Sequence, residues 1–220
     1  MSVIEIIPTV VPSSLADIEA VADRVSSFAH TLHIDIADGT FAPNTTWMPH
    51  GEQFTTRPGL LYEVHLMVAL PKEIGLACIA AGARRVIGHI EAMQENTPEI
   101  FDAWKRAGAA EVGAGLLFPT PLDVLDPYVD SCDVVQMMAI KEIGVQGLPF
   151  APEAPARVAQ LHQRHPKLLL SVDGSVNETT IGDLARAGAQ RFCAGSVLSK
   201  SPNPLATYTS LIAHAESALQ

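Results

Sequence analysis

Residues 168–196 read LLLSVDGSVNETTIGDLARAGAQRFCAGS, and two strands and a helix account for almost all of them. Leu168 to Val172 is a short apolar run that breaks at Asp173-Gly174, a turn signal. Thr179 to Ala187 has a helical pattern and halts at Ala187-Gly188-Ala189, where a glycine supplies the usual C-terminal stop. Arg191 to Ala194 is a second strand, closed by Gly195-Ser196. Connections this short, with a helix between two strands, are those of a parallel crossover unit.

Worked outward, the same unit recurs. Strands are expected at Val3–Ile7 (closed by Pro8), Leu32–Ala37, Tyr62–Met67, Arg85–His89, Glu111–Leu117 and Val134–Met138. Helices are expected from a Ser13 or Ser14 cap to about Phe28, from Pro71 to near Gly82, and over Pro98–Ala107 and Pro121–Val129. Two more run from about Pro155 to His165 and from Pro204 to Leu219, and a long loop through Pro43-Asn44 follows the second strand. The tripeptide Ala-Gly-Ala recurs at 81–83, 107–109 and 187–189, each time between a helix and the next strand. About eight strand–helix repeats with no linker or low-complexity stretch predict an α/β fold, a single-domain (β/α)8 TIM barrel over residues 1–220. The alternative, an open doubly wound sheet, needs a reversal of strand order.

Composition narrows the function. Of 220 residues, 48% are hydrophobic and 17% charged, a balance that favours a large core over a disordered chain. A net charge of -10 leaves no basic stripe for nucleic acid, although backbone N–H groups can still bind a small phosphate ester. Polar residues interrupt each apolar run before it reaches membrane-spanning length, and no signal peptide opens the sequence. Cys78, Cys132 and Cys193 are odd in number and widely spaced, and read as reduced thiols of a cytoplasmic protein.

The chemistry-bearing residues fall where a barrel would use them. His33 and Asp35 lie two apart in the second strand and share a face. His65 stands near the end of the third strand and Asp173 at the end of the seventh. Active sites of such barrels lie at the C-terminal ends of the strands, so two histidines and two carboxylates meet at one mouth, a donor set suited to a divalent metal. Gly174-Ser175 and Gly195-Ser196 follow strands seven and eight, where these barrels commonly hold phosphate.

The segments HIDIADGTFAPN, EVHLMV, VDGS and AGS resemble, in order and spacing, the signature segments of the ribulose-phosphate 3-epimerase family. Ile7-Pro8-Thr9 and Gly115-Leu116-Leu117-Phe118 also fit its pattern. The resemblance implies one divalent metal ion (zinc, manganese, iron or cobalt) held by His33, Asp35, His65 and Asp173. It implies that Asp35 and Asp173 are the acid/base pair, with phosphate at Gly174, Ser175, Gly195 and Ser196. Thr9, Met67, Met138, Gly144 and Gly147 would complete the substrate site, and a homo-oligomer acting on a small phosphorylated sugar is expected. His89 is expected to be a hydrogen-bonded histidine without a catalytic role.

Departures from the family concern the substrate and not the proton chemistry. The glycine-rich loop after strand six, usually N-P-G-F-G-G-Q, is Lys141-Glu142-Ile143-Gly144-Val145-Gln146-Gly147, and Ala37 stands where a methionine is usual. Thr9 replaces a serine and keeps the hydroxyl. The reading is therefore a metal-dependent 3-epimerase of a phosphorylated ketose, with D-ribulose 5-phosphate and D-xylulose 5-phosphate as the default pair. Alternatives are a ketohexose 6-phosphate such as allulose 6-phosphate, or a non-catalytic sugar-phosphate binder. Related decarboxylases use a lysine in D-x-K-x-x-D, which Asp35-Ile36-Ala37-Asp38 lacks.

Overall fold

Side-chain alternation along the strands decides what fills the centre of this molecule. The computed structural model describes residues 4–144 and 147–220. Eight parallel strands close on themselves: β1 (Glu5–Val10), β2 (Thr31–Ala37), β3 (Leu61–Met67), β4 (Arg85–His89), β5 (Glu111–Leu116), β6 (Val134–Met138), β7 (Leu170–Asp173) and β8 (Arg191–Ala194). Around them run α1 (Leu15–Val25), α2 (Pro71–Ala81), α3 (Ile90–Met93), α4 (Thr97–Ala107), α5 (Ala154–Arg164), α6 (Ile181–Arg186), α7 (Ser196–Ser199) and α8 (Pro204–Ser217). The expected TIM barrel is the observed one.

Local signals account for many of the boundaries. Ser14 and Asp17 form a reciprocal capping box at the start of α1. The three Ala-Gly-Ala glycines all have positive φ, between 109° and 117°, the left-handed conformation that ends a helix; Gly82 and Gly108 are the C-caps of α2 and α4, and Gly188 follows the C-cap of α6. Three expectations need correction. The first strand does not stop at Pro8; it runs Glu5–Val10, because barrel closure pairs it with β8 at Pro8 and with β2 at Thr9 and Val10. Its expected start, Val3, lies outside the described residues. No α-helix forms over Pro121–Val129; a single 3-10 turn at Leu122–Leu125 replaces it, because Pro127 would break the helical hydrogen bonds there. The seventh strand starts at Leu170 and extends to Asp173.

Outward-facing strand residues such as Leu32, Ile34, Ile36, Val64 and Leu66 pack under the helices in the main core. Their neighbours point into the barrel, and at its N-terminal end four charged side chains meet. Arg85 pairs with Glu5 (2.9 Å) and Glu111 (3.2 Å), while Arg191 pairs with Glu5 (2.8 Å) and Glu111 (2.6 Å). Two guanidinium groups and two carboxylates from β1, β4, β5 and β8 thus neutralise one another beneath the site. The four groups are partly buried, and a charge left there without its partner is costly, so this layer constrains the barrel floor.

On the outside, fully buried Trp104 of α4 fits against two glycines and donates its indole N–H to Lys72 O at 3.1 Å. A Cβ on Gly75 of α2 would lie 2.3 Å from the indole nitrogen. Replacing a helix-interior glycine by alanine ordinarily stabilises by about 0.5–1 kcal/mol. Here Gly75→Ala should instead lower the unfolding free energy by about 1–3 kcal/mol through overpacking, as read by urea denaturation; a neutral or stabilising result would refute the close fit.

Candidate active site

Register brings the predicted residues to one end of the barrel. Asp35 pairs with His65 across β2 and β3, His89 with Gly115 across β4 and β5, and Met138 with Asp173 across β6 and β7. His65 Nδ1 lies 3.0 Å from Asp35 Oδ1 and 3.6 Å from Asp173 Oδ2, and His33 Nε2 is 3.4 Å from Asp35 Oδ1. Single ligand atoms of His33, Asp35, His65 and Asp173 all lie within 4.8 Å of one another. The convergence inferred from three separate strands is therefore physical.

The four side chains differ in their surroundings. His33 and His65 are fully buried, and Asp35 and Asp173 present only 9% and 16% of their side chains to solvent. Burial favours neutral Asp35, yet the adjacent His33 imidazole and the hydrogen bond from His65 outweigh it and hold the carboxyl below the ordinary range. Burial raises Asp173, and the nearby charge of Asp35 raises it further. Burial would lower His33, but its surroundings raise it well above the ordinary histidine value. Cys193 is pushed up to about 12 by burial and is a neutral thiol at pH 7, so Asp35 and Glu63 are the groups that favour a charged His33.

These residues fit a divalent cation. Buried His33 Nε2 has no hydrogen-bond partner, and its neighbour Asp35 lacks hydrogen-bond geometry. His33 Nδ1 meets Glu63 Oε1 at 2.7 Å, an arrangement that keeps a proton on Nδ1 and makes Nε2 the nitrogen whose proton a cation would displace. Three carboxylates around two imidazoles leave excess negative charge for a cation to offset. A second grouping, His33, Glu63 and Cys193, is equally compact. Its His33 Nδ1 is already engaged by Glu63, so it is the weaker candidate.

Above the cluster opens a cleft with about 510 Å³ of empty space, part of it open to solvent. It is lined by Asp35 and Asp173 and by all nine residues expected to contact substrate: Thr9, Met67, Met138, Gly144, Gly147, Gly174, Ser175, Gly195 and Ser196. Gly174 (φ 106°) and Ser175 (φ 54°) are consecutive left-handed residues, and a Cβ on Gly174 would come within 2.8 Å of Ile140. A left-handed serine is uncommon, and such strain concentrates at functional loops. Gly195 precedes the short helix α7, whose first amides point out of the helix.

The divergent loop packs onto the mouth. A Cβ on Gly144 (φ 102°) would lie 2.0 Å from Asn44 Oδ1 in the loop after β2, so glycine is retained where the two loops cross. Ile143 is buried in a cluster with Ala37, Ala42, Met67, Met138 and Ile140. Ala37 is thus fully buried and does not line the cleft. Glu142 is exposed, so its charge is not buried beside the cleft. Val145 and Gln146 lie outside the described residues.

Sequence reading missed Glu63, Cys193, Val11, Ile140, Leu148 and Val176. Glu63 had a signal, since it stands two residues before His65 and must share its face. Cys193 likewise stands on β8 facing the interior, where it lies 3.6 Å from His33 Nδ1. The remainder carry only apolar side chains with no distinguishing pattern. All three cysteines are free thiols, and among the described residues no helix is long and apolar enough to cross a membrane.

The fold and site define a TIM barrel with a histidine–carboxylate cluster and paired glycine loops at its C-terminal mouth. The profile of the ribulose-phosphate 3 epimerase family matches residues 5–199. The chain is 31% identical over 204 residues to the cytoplasmic isoform of ribulose-phosphate 3-epimerase from Oryza sativa subsp. japonica, covering 91% of this chain and 89% of that one. It is 32% identical over 205 residues to the ribulose-phosphate 3-epimerase of Chlamydia muridarum, covering 89% and 88%. This chain belongs to the ribulose-phosphate 3-epimerase family. Among solved structures, a 3-hexulose-6-phosphate synthase aligns with TM-score 0.67 at 16% identity over 96% of this chain and 99% of that one. A 3-keto-L-gulonate-6-phosphate decarboxylase from Vibrio cholerae O1 biovar El Tor aligns with TM-score 0.69 at 15% identity over 99% of each. At such identities these share the fold alone.

A cation held by the four side chains must displace protons from His33 and Asp173, both of which bind them more tightly than usual. Affinity for a divalent ion, measured by competition with a chromophoric chelator, should therefore weaken as pH falls. The loss should begin above about pH 6.5, the ordinary histidine value; a flat profile down to pH 6 would contradict the raised His33.

Proposed function

We propose that this protein is a metal-dependent 3-epimerase of a phosphorylated ketose, interconverting D-ribulose 5-phosphate and D-xylulose 5-phosphate. One observation carries the reading. Asp35 and Asp173 come from strands on different sides of the barrel, face one mouth, and have opposite proton affinities. A carbon beside a ketone is epimerised by removing its proton from one face and returning a proton to the other. Asp35, the carboxyl more strongly held ionised, and Asp173, the one that takes up a proton more readily, supply a base and an acid for that exchange. In the reverse direction the two exchange roles.

Ligand positions follow from the cleft. His33, Asp35, His65 and Asp173 would hold the divalent ion. When bound, such an ion acts as a Lewis acid that offsets the negative charge developing on the substrate oxygens. Met67 and Met138 face the reacting carbons with apolar, polarisable surface and exclude water from the enediolate. The loops Gly174–Ser175 and Gly195–Ser196 receive the phosphate through backbone amides, in keeping with barrels whose phosphate sites follow strands seven and eight. The family assignment supports a sugar-phosphate substrate over other anions.

Incubation in D₂O with D-ribulose 5-phosphate should place deuterium at C3 with appearance of the epimer, followed by proton NMR. Allulose 6-phosphate in a parallel reaction reads the preferred chain length. Asp173→Asn should slow the exchange by about 10²-fold or more. Turnover at the unmodified rate in that variant would remove Asp173 from the acid/base pair, and absence of exchange with both sugars in metal-loaded protein would overturn the proposed reaction.

A further inference from the structure

His65 is backed by a second histidine, and that histidine by a carboxylate. His65 Nε2 meets His89 Nε2 at 2.9 Å, and His89 Nδ1 meets Glu91 Oε2 at 3.3 Å. His65 and His89 are fully buried. The other oxygen of Glu91 accepts hydrogen bonds from Leu117 N at 2.9 Å and Thr120 Oγ1 at 2.5 Å. Gly115 makes the arrangement possible, since its absent Cβ would touch three ring atoms of His89 at 3.3 Å. The ring of Phe41, from the loop after β2, closes the other side at a centroid distance of 5.0 Å.

Proton counting gives this chain a direction. Two ring nitrogens facing each other need one donor and one acceptor. Ionised Glu91 can only accept, so neutral His89 carries its proton on Nδ1 and offers a lone pair at Nε2. His65 must then donate from Nε2, so the proton that its Nδ1 gives to Asp35 at 3.0 Å is the one a cation displaces, leaving the lone pair on Nδ1. That is the atom lying near Asp35 and Asp173. We infer that His89 and Glu91 are positioning residues that fix the tautomer of His65 and aim its Nδ1 lone pair at the cation site. The inference rests on the proposed metal site. It gives His65 the counterpart of what Glu63 does for His33.

Glu91→Gln tests it with little change of shape. An amide that keeps its oxygen on Leu117 N and Thr120 Oγ1 turns N–H groups toward His89 Nδ1. This reverses the His89 tautomer and drives the proton of His65 onto Nδ1. Flipping the amide instead sets its N–H groups against Leu117 N–H. Either way, the affinity of metal-stripped protein for Co²⁺, measured by chelator competition, should fall about 10–100-fold. Thermal unfolding of the metal-free variant should stay close to that of the parent, and the visible spectrum of the Co²⁺ form should change. Binding within twofold of the parent with an unchanged spectrum would overturn the inference.

Should Glu91→Gln fail to fold, His89 decides the matter. His89→Gln keeps an acceptor for His65 and should retain more Co²⁺ affinity than His89→Leu; equal affinities would overturn the assignment. If the parent protein itself binds no Co²⁺, the proposed metal site fails, an outcome separate from failure of the relay.

Discussion

A closed barrel of eight strands turns every second strand residue toward a narrow interior, and in this protein that interior is charged. Ionised groups taken out of water must be paired, and almost all of the site's order follows from that requirement. At the floor, Glu5, Arg85, Glu111 and Arg191 cancel one another. One level up, Glu63 joins His33 and comes within 3.8 Å of Arg85, which links the floor to the candidate site. At the mouth, Asp35, Asp173 and His65 gather around the space that the cleft exposes. The stack is continuous from the barrel floor to the solvent.

Such a stack does two jobs with one set of contacts. It stabilises buried charge, and it fixes which atoms of each side chain face the cleft. His33 cannot rotate without losing Glu63, and His65 cannot without losing His89. The opposed proton affinities of Asp35 and Asp173 arise from the same asymmetry, because Asp35 receives both imidazoles while Asp173 receives mainly burial and the charge of Asp35. Loops contribute differently. Gly174, Ser175 and Gly144 hold backbone conformations that bring main chain close to the cleft, and the divergent loop anchors itself by burying Ile143.

Much of this was legible in the chain. Strand–helix alternation, the three Ala-Gly-Ala stops, and the His33, Asp35, His65 and Asp173 set all depend on local spacing, which a linear pattern records. Where reading went astray, a distant partner had intervened. Pro8 looks like a strand terminator until barrel closure gives β1 neighbours on both sides. Pro127 limits the expected helix to one 3-10 turn at Leu122–Leu125. Ala37, where a methionine is usual, lies fully buried beside Met67, Met138 and Ile143, a placement that only packing reveals.

By itself the sequence determined the barrel, its strand ends and the residue types that converge at the mouth, because side-chain period and turn chemistry are properties of neighbouring residues. Only the tertiary structure decided how those groups are paired. Glu5 meets Arg191 and Arg85, and Glu111 meets Arg191, across a closed ring between strands far apart in the chain, while Glu91 reaches His65 through His89 by the register of β3 and β4. Hydrogen-bond direction, tautomer and proton affinity follow from those contacts, and no linear spacing encodes them.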